Sequence, residues 1–173
     1  KVIFMFLYKL LLTMNATSWM VIIYAIKEEW TIGNLPAHLF GIMLLTIPVL
    51  LSWLSLLLTR FLGEESPESY YKEMTLADKE FLPIYLGYFF VSVGISKWFT
   101  MIVVYLIVFI FTFLSQTQYF NPIYLLFGYH YYHVLTETGT QIFIIKKGPV
   151  VRSVNELRFN HLCRLNDSTF IVM

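Results

Sequence analysis

From Leu39 to Thr59 the chain reads LFGIMLLTIPVLLSWLSLLLT, with no Asp, Glu, Lys or Arg. A helix of roughly 17–25 apolar residues crosses a hydrocarbon core of about 30 Å, so this run is long enough to span one. Inside lipid each backbone N–H and C=O must be paired within the segment, which leaves a helix as the single-segment solution. A second apolar run covers about 2–26 and stops at KEEW. Its Lys9 lies near one end, where a long stem carries the charge to the headgroups. A third runs from about 81 to 114. As one straight helix it would measure about 50 Å at 1.5 Å per residue, too long for a single crossing. Lys97 in GISKWF, with Gly94 before it, is the place where it folds back. The reading is a membrane α-helical fold with four transmembrane helices at about 2–26, 39–61, 77–96 and 98–116. The third is long enough only if it starts near Leu76.

Composition agrees. Charged residues make up 13% of the 173, against about 25% in soluble domains. The net charge of +1 gives no reason to expect direct nucleic-acid contact. One cysteine, Cys163, excludes an intrachain disulfide. With four spans, Lys1, Arg60, Lys72, Lys79, Lys146, Lys147, Arg152, Arg158 and Arg164 fall on one side, against Lys27 and Lys97 on the other. Basic residues mark the cytoplasmic side, so both termini are expected there. The chain thus divides into a transmembrane domain, 1–118, with a cytoplasmic loop at 62–76, and an interfacial and small cytoplasmic β domain, 119–173.

The later spans carry no acid or base between their ends, which argues against an ion-coupled transporter. Their polar residues suit helix packing. Asn15 and Ser18 share a helix face, as do Thr13 and Thr17. Gly87 and Gly94 form a small-residue strip for a neighbouring helix, and Pro48 kinks the second span. The alternative is an oligomeric pore or channel lined by Asn15, Thr17 and Ser18.

Beyond the last span, Tyr119, Phe120, Tyr124, Phe127, Tyr129, Tyr131 and Tyr132 form an aromatic collar suited to the membrane surface. Asn121-Pro122 opens a turn, with a short helix over 123–127. Then apolar residues alternate. A two-residue turn at Thr138-Gly139 makes a β-hairpin pairing Leu135 with Ile142, Val134 with Phe143, His133 with Ile144 and Tyr132 with Ile145. A lone hairpin is marginal in water, so this one needs cover, and ELRFNHLCRL and STFIVM supply further strands. Its surplus apolar surface makes Tyr132, Val134, Leu135, Ile142, Phe143, Ile145, Lys146 and Lys147 the expected docking surface for a partner.

Catalytic and metal-binding signatures are weak. His130 and His133 share a face on a helix and oppose each other on a strand; the strand pattern begins here, so no metal site is expected. His161 and Cys163 read as packing residues. The stretch GEESPESYYKEMTLADKE holds six acids and two lysines and reads as a solvated connector without fixed geometry. No phosphate loop, nucleophile elbow or zincin motif occurs. The expectation is a non-enzymatic protein with no cofactor.

The order of features, with NPIYLLFGYHYYHVLTETGTQIFIIKK followed by RLNDSTFIV, resembles the KwaA family, the membrane subunits of the bacterial Kiwa anti-phage defence system. The resemblance implies a multi-pass inner-membrane protein that forms a homo-oligomer, such as a tetramer. It implies a sensor and scaffold for phage attachment, recruiting KwaB, a cytoplasmic effector that acts on phage DNA. It carries over no individual site residue.

Overall fold

The structure is a computed structural model that describes residues 2–65, 71–115, 121–156, 162–166 and 168–172. The chain forms two compact units: residues 1–55 with 80–121, and residues 56–79 with 122–173. The dividing line therefore differs from the 1–118 and 119–173 expected, because the stretch after the second helix joins the β unit.

The helical unit contains α1 (Val2–Lys27), α2 (Ala37–Leu58), α3 (Phe81–Gly94) and α4 (Trp98–Ser115). Among the described residues three apolar segments are long enough to cross a membrane: Ile3–Lys27, Ala37–Phe61 and Trp98–Ser115. α3, with 14 residues, extends only about 21 Å. The long apolar run does break at Ile95–Lys97, as its length requires, but α3 starts at Phe81 and not near 77. α1 is the central helix, packed on α3 and α4 through Met20, Tyr24, Tyr88 and Met101. Lys27 Nζ donates to the Ile95 carbonyl at the end of α3 and pairs with Glu28 at 3.0 Å. A lysine there satisfies a carbonyl that the helix cannot pair itself.

In the second unit α5 (Pro122–Leu126) leads into β3 (Tyr129–Thr136) and β4 (Gln141–Lys147), followed by β5 (Leu162–Arg164) and β6 (Thr169–Val172). Two strands precede them in sequence, β1 (Glu64–Glu65) and β2 (Tyr71–Leu76). Among the described residues they make one six-stranded sheet, ordered β1-β5-β6-β4-β3-β2. Only β4 and β6 run parallel. The expected hairpin is thus the middle of a sheet, and its cover comes partly from the stretch read as a solvated loop.

The β3–β4 register also differs. Val134 faces Ile142, His133 faces Phe143 and Tyr132 faces Ile144, one residue away from the expected pairing. The turn is longer than two residues. Gly139 N–H bonds the Thr136 carbonyl at 3.1 Å, Thr136 N–H bonds the Thr140 carbonyl at 2.9 Å, and Gly139 sits at φ 84. A type I turn followed by a left-handed glycine is the usual three-residue hairpin loop. One extra loop residue moves every side chain to the other face.

β2 and β3 are hydrogen-bonded neighbours, yet α3 and α4 lie between them in sequence.

Candidate functional site

The sheet decides which predicted docking residues are reachable. Alternation along β3 and β4 sends Tyr132, Val134 and Ile144 into a core with Val151 and Leu162, and Tyr132, Val134 and Ile145 are fully buried. Phe143 is buried on the opposite face, stacked on Tyr131 at 5.7 Å between ring centroids. These four predicted residues, Tyr132, Val134, Phe143 and Ile145, are core and offer no side chain to a partner. Leu135, Ile142 and Lys146 are half-buried, and Lys147 is exposed. Nor do Tyr124, Tyr131 and Tyr132 form a surface collar, since all are buried; Tyr119 and Phe120 lie outside the described residues.

What remains accessible is a shallow groove of about 260 Å³ lined by Glu73, Met74, Thr75, His133, Leu135 and Gln141. Glu73, Thr75, His133, Leu135 and Gln141 come to one face of three adjacent strands because of the pairings Glu73↔Leu135, Thr75↔His133 and Leu135↔Gln141. β2 is an edge strand whose Lys72, Glu73 and Thr75 are exposed. His133 packs its ring on Phe143 at 5.1 Å. His130 lies on the other face of β3, where Nδ1 is 2.6 Å from Asp78 Oδ2, while Tyr131 N–H donates to Asp78 Oδ1 at 2.8 Å. The two histidines are therefore separated, as strand alternation requires. No group of three potential metal ligands occurs among the described residues; His161 is outside them.

Burial holds the Tyr132 phenol above its ordinary pKa, with a smaller upward push from the Asp78 charge, although its oxygen accepts the Val151 N–H at 3.0 Å. Burial raises the Tyr129 phenol as well.

The helical unit holds the remaining predicted residues. Asn15 is 1% exposed, and its Nδ2 donates to Ser52 Oγ at 2.8 Å. Asn121 Nδ2 donates to the same oxygen at 2.7 Å, and Ser52 Oγ donates to the Pro48 carbonyl at 2.6 Å. One hydroxyl thus uses both lone pairs and its proton. Thr17 is buried, bonded to the Thr13 carbonyl at 2.8 Å and Tyr105 Oη at 3.3 Å. Within one chain Asn15 and Thr17 face helices and not a lumen. Ser18, half-buried, bonds the Asn15 carbonyl at 2.7 Å. Gly87 and Gly94 are exposed with open space at their Cβ positions, so among the described residues no helix packs on that strip. Sequence reading missed Ser52 as the partner of Asn15, and Asn121 as the second donor to that hydroxyl; the signal available was an Asn and a Ser in otherwise apolar surroundings.

The family described as anti-phage protein KwaA matches the chain over residues 8–171. The chain belongs to the KwaA family. That membership places it in anti-phage defence. No curated protein and no solved structure matches it. The match runs through both units of this KwaA-family protein, helical and β alike.

Proposed function

We propose that this KwaA-family protein is a non-enzymatic inner-membrane scaffold that senses phage attachment and recruits a cytoplasmic effector of the KwaB type. The helical unit anchors a homo-oligomer in the bilayer, and the sheet unit lies in the cytoplasm with both termini. The groove on β2, β3 and β4 is what carries the docking part of this reading: Glu73, Thr75, His133 and Gln141 offer polar recognition around the apolar side chain of Leu135. It replaces the buried faces of Tyr132, Val134, Phe143 and Ile145 as the docking surface. Truncation at residue 138 is an unsuitable test, because it removes β4 from the middle of the sheet. The charge reversal Glu73→Arg, paired with Gln141→Arg, leaves the core intact. It is expected to abolish co-purification of the effector and phage resistance while membrane yield stays constant. Unchanged effector co-purification would refute this docking surface.

A further inference from the structure

α1 carries two lysines, Lys9 and Lys27, and they differ in their surroundings. Lys27 donates to the Ile95 carbonyl and pairs with Glu28 at 3.0 Å. Lys9 is half-buried, and its ammonium lies over the Phe113 ring, 5.1 Å from the centroid. Phe113 is close to the end of α4 at Ser115, and its ring also meets the Phe6 ring at 5.6 Å. Among the described residues no carboxylate and no hydrogen-bond acceptor pairs with the Lys9 ammonium. An ammonium carries three donors, and a charge taken out of water is costly unless it is paired. A ring face attracts it from one side and leaves the other side unmet. From Lys9 to Lys27 the helix rises about 27 Å, against a hydrocarbon core of about 30 Å. With Lys27 at one boundary, the Lys9 backbone falls about 3 Å inside the other. Long side chains on a helix lean toward its N-terminus, so this stem runs outward to the level of the lipid phosphates.

We infer that Lys9 binds the phosphodiester of an anionic phospholipid, of the phosphatidylglycerol type, in the leaflet at the N-terminal end of α1. The acids of the helical unit do not serve it. They are Glu28, Glu29 and Glu80; the first two adjoin Lys27 at the far end of α1, and Glu80 has a partner of its own. The helical unit of a second copy brings the same three. The bilayer boundary, in contrast, presents a phosphate to every copy of Lys9. A phosphatidylethanolamine headgroup carries its own ammonium beside the phosphate, so a headgroup of net negative charge is the better match. Bound there, the phosphate and the Phe113 ring hold the ammonium between them, and the lipid joins the contact between α1 and α4. This inference rests on α1 and α4 crossing the membrane, as in the proposed function, and is independent of effector docking.

The test uses the full chain in detergent micelles, with dioleoyl phosphatidylglycerol or dioleoyl phosphatidylcholine added and bound lipid counted by native mass spectrometry. Phosphatidylglycerol is expected to bind the unaltered protein more tightly than phosphatidylcholine. Lys9→Met should weaken phosphatidylglycerol about fivefold and leave phosphatidylcholine as it was. Lys9→Arg should keep the preference, and so should Lys97→Met, which removes a charge just before α4. An equal loss in Lys97→Met and Lys9→Met would assign the preference to overall charge and overturn the site. Glycerol 1-phosphate, the same phosphate without acyl chains, is the competitor; displacement at equal concentration overturns a lipid source in favour of free phosphate. No preference in the unaltered protein, or one that survives Lys9→Met, overturns the site and leaves the membrane reading standing. Dissociation of an oligomer by Lys9→Met before lipid is added would put the anion on a second copy and also overturn it. Recovery of the chain in solution without detergent removes the membrane reading as well. If Lys9→Met does not fold, Lys9→Gln, with a polar tip and no charge, makes the same comparison.

Discussion

The two units differ most in what they expose. In the helical unit Thr13, Thr17, Ser52 and Ser92 are 0% exposed, while Phe111 is 65% and Leu114 67% exposed. In the sheet unit Tyr131, Tyr132, Val134, Ile144 and Ile145 are fully buried, and charges such as Lys72, Glu73 and Lys147 point outward. A water-soluble core forms because apolar surface escapes water. Lipid tails are as apolar as Leu, so helices in lipid gain nothing from hiding leucine and associate through small and polar residues. Exposed large apolar side chains with buried hydroxyls are what helices in lipid would show, whereas the sheet unit has the pattern of a core in water.

The sharpest way to break that contrast is to place the same charge in each unit. Ile144→Asp buries a carboxylate in the sheet core and should cost about 4 kcal/mol or more, seen as loss of amide-exchange protection across the strands. Phe111→Asp, on the outer face of α4, would change little if that face met water, within about 0.5 kcal/mol. Facing lipid, it should cost about 2.5–3.5 kcal/mol and reduce the membrane-inserted fraction. A neutral Phe111→Asp would remove the inverted-burial argument.

The second test separates the units. Asp78→Ala removes an acceptor shared by His130 Nδ1 and Tyr131 N–H. An unsatisfied buried donor costs about 1–3 kcal/mol, and the loss should appear in the sheet unit's exchange protection with the helices unaffected. Equal loss in both units would show that they unfold as one. Ser52→Ala is the counterpart in the helical unit, leaving two amide donors without their acceptor. Intramembrane hydrogen bonds average about 0.6 kcal/mol with a maximum near 1.7, so a loss of about 1 kcal/mol is expected by thermal unfolding in detergent.

The helical unit was legible because its signal is strong: length and the absence of charge locate α1, α2 and α4, and the length limit forces the break at Ile95–Lys97. The sheet was less so, for reasons that individual residues show. β2 has an irregular register between Tyr71 and Glu73, so Tyr71 and Met74, three apart, pack on the same core and the period of two is lost. Its charges are what an edge strand carries to discourage pairing with other chains, yet they made the segment read as a solvated connector. β1 is two glutamates long, below any periodic signal. The hairpin itself was visible, but its register depended on whether Glu137 belongs to the loop. The surrounding strands matter most for the site, because a lone hairpin leaves open the residues that β1, β2 and the C-terminal strands enclose.

Tyr132 gives the smallest and most specific test of the sheet unit. Its phenol is held above the usual value near 10 by burial first, then by the Asp78 charge. In the unfolded chain the phenol releases its proton near pH 10, while in the folded sheet it stays neutral to higher pH. The contribution is therefore complete below about pH 10 and is lost as pH rises from there through the folded pKa. Tyr132→Phe leaves the Val151 N–H without its acceptor, so the variant should be about 1 kcal/mol less stable at neutral pH. Above pH 10 its stability should fall less steeply than that of the unaltered protein, so the gap narrows. Tyr129→Phe serves as the control, because burial raises that phenol as well. A gap that stays constant above pH 10 in Tyr132→Phe but closes in Tyr129→Phe would move the alkaline sensitivity to Tyr129, where Lys147 lies 5.7 Å from the ring, and out of the sheet's core.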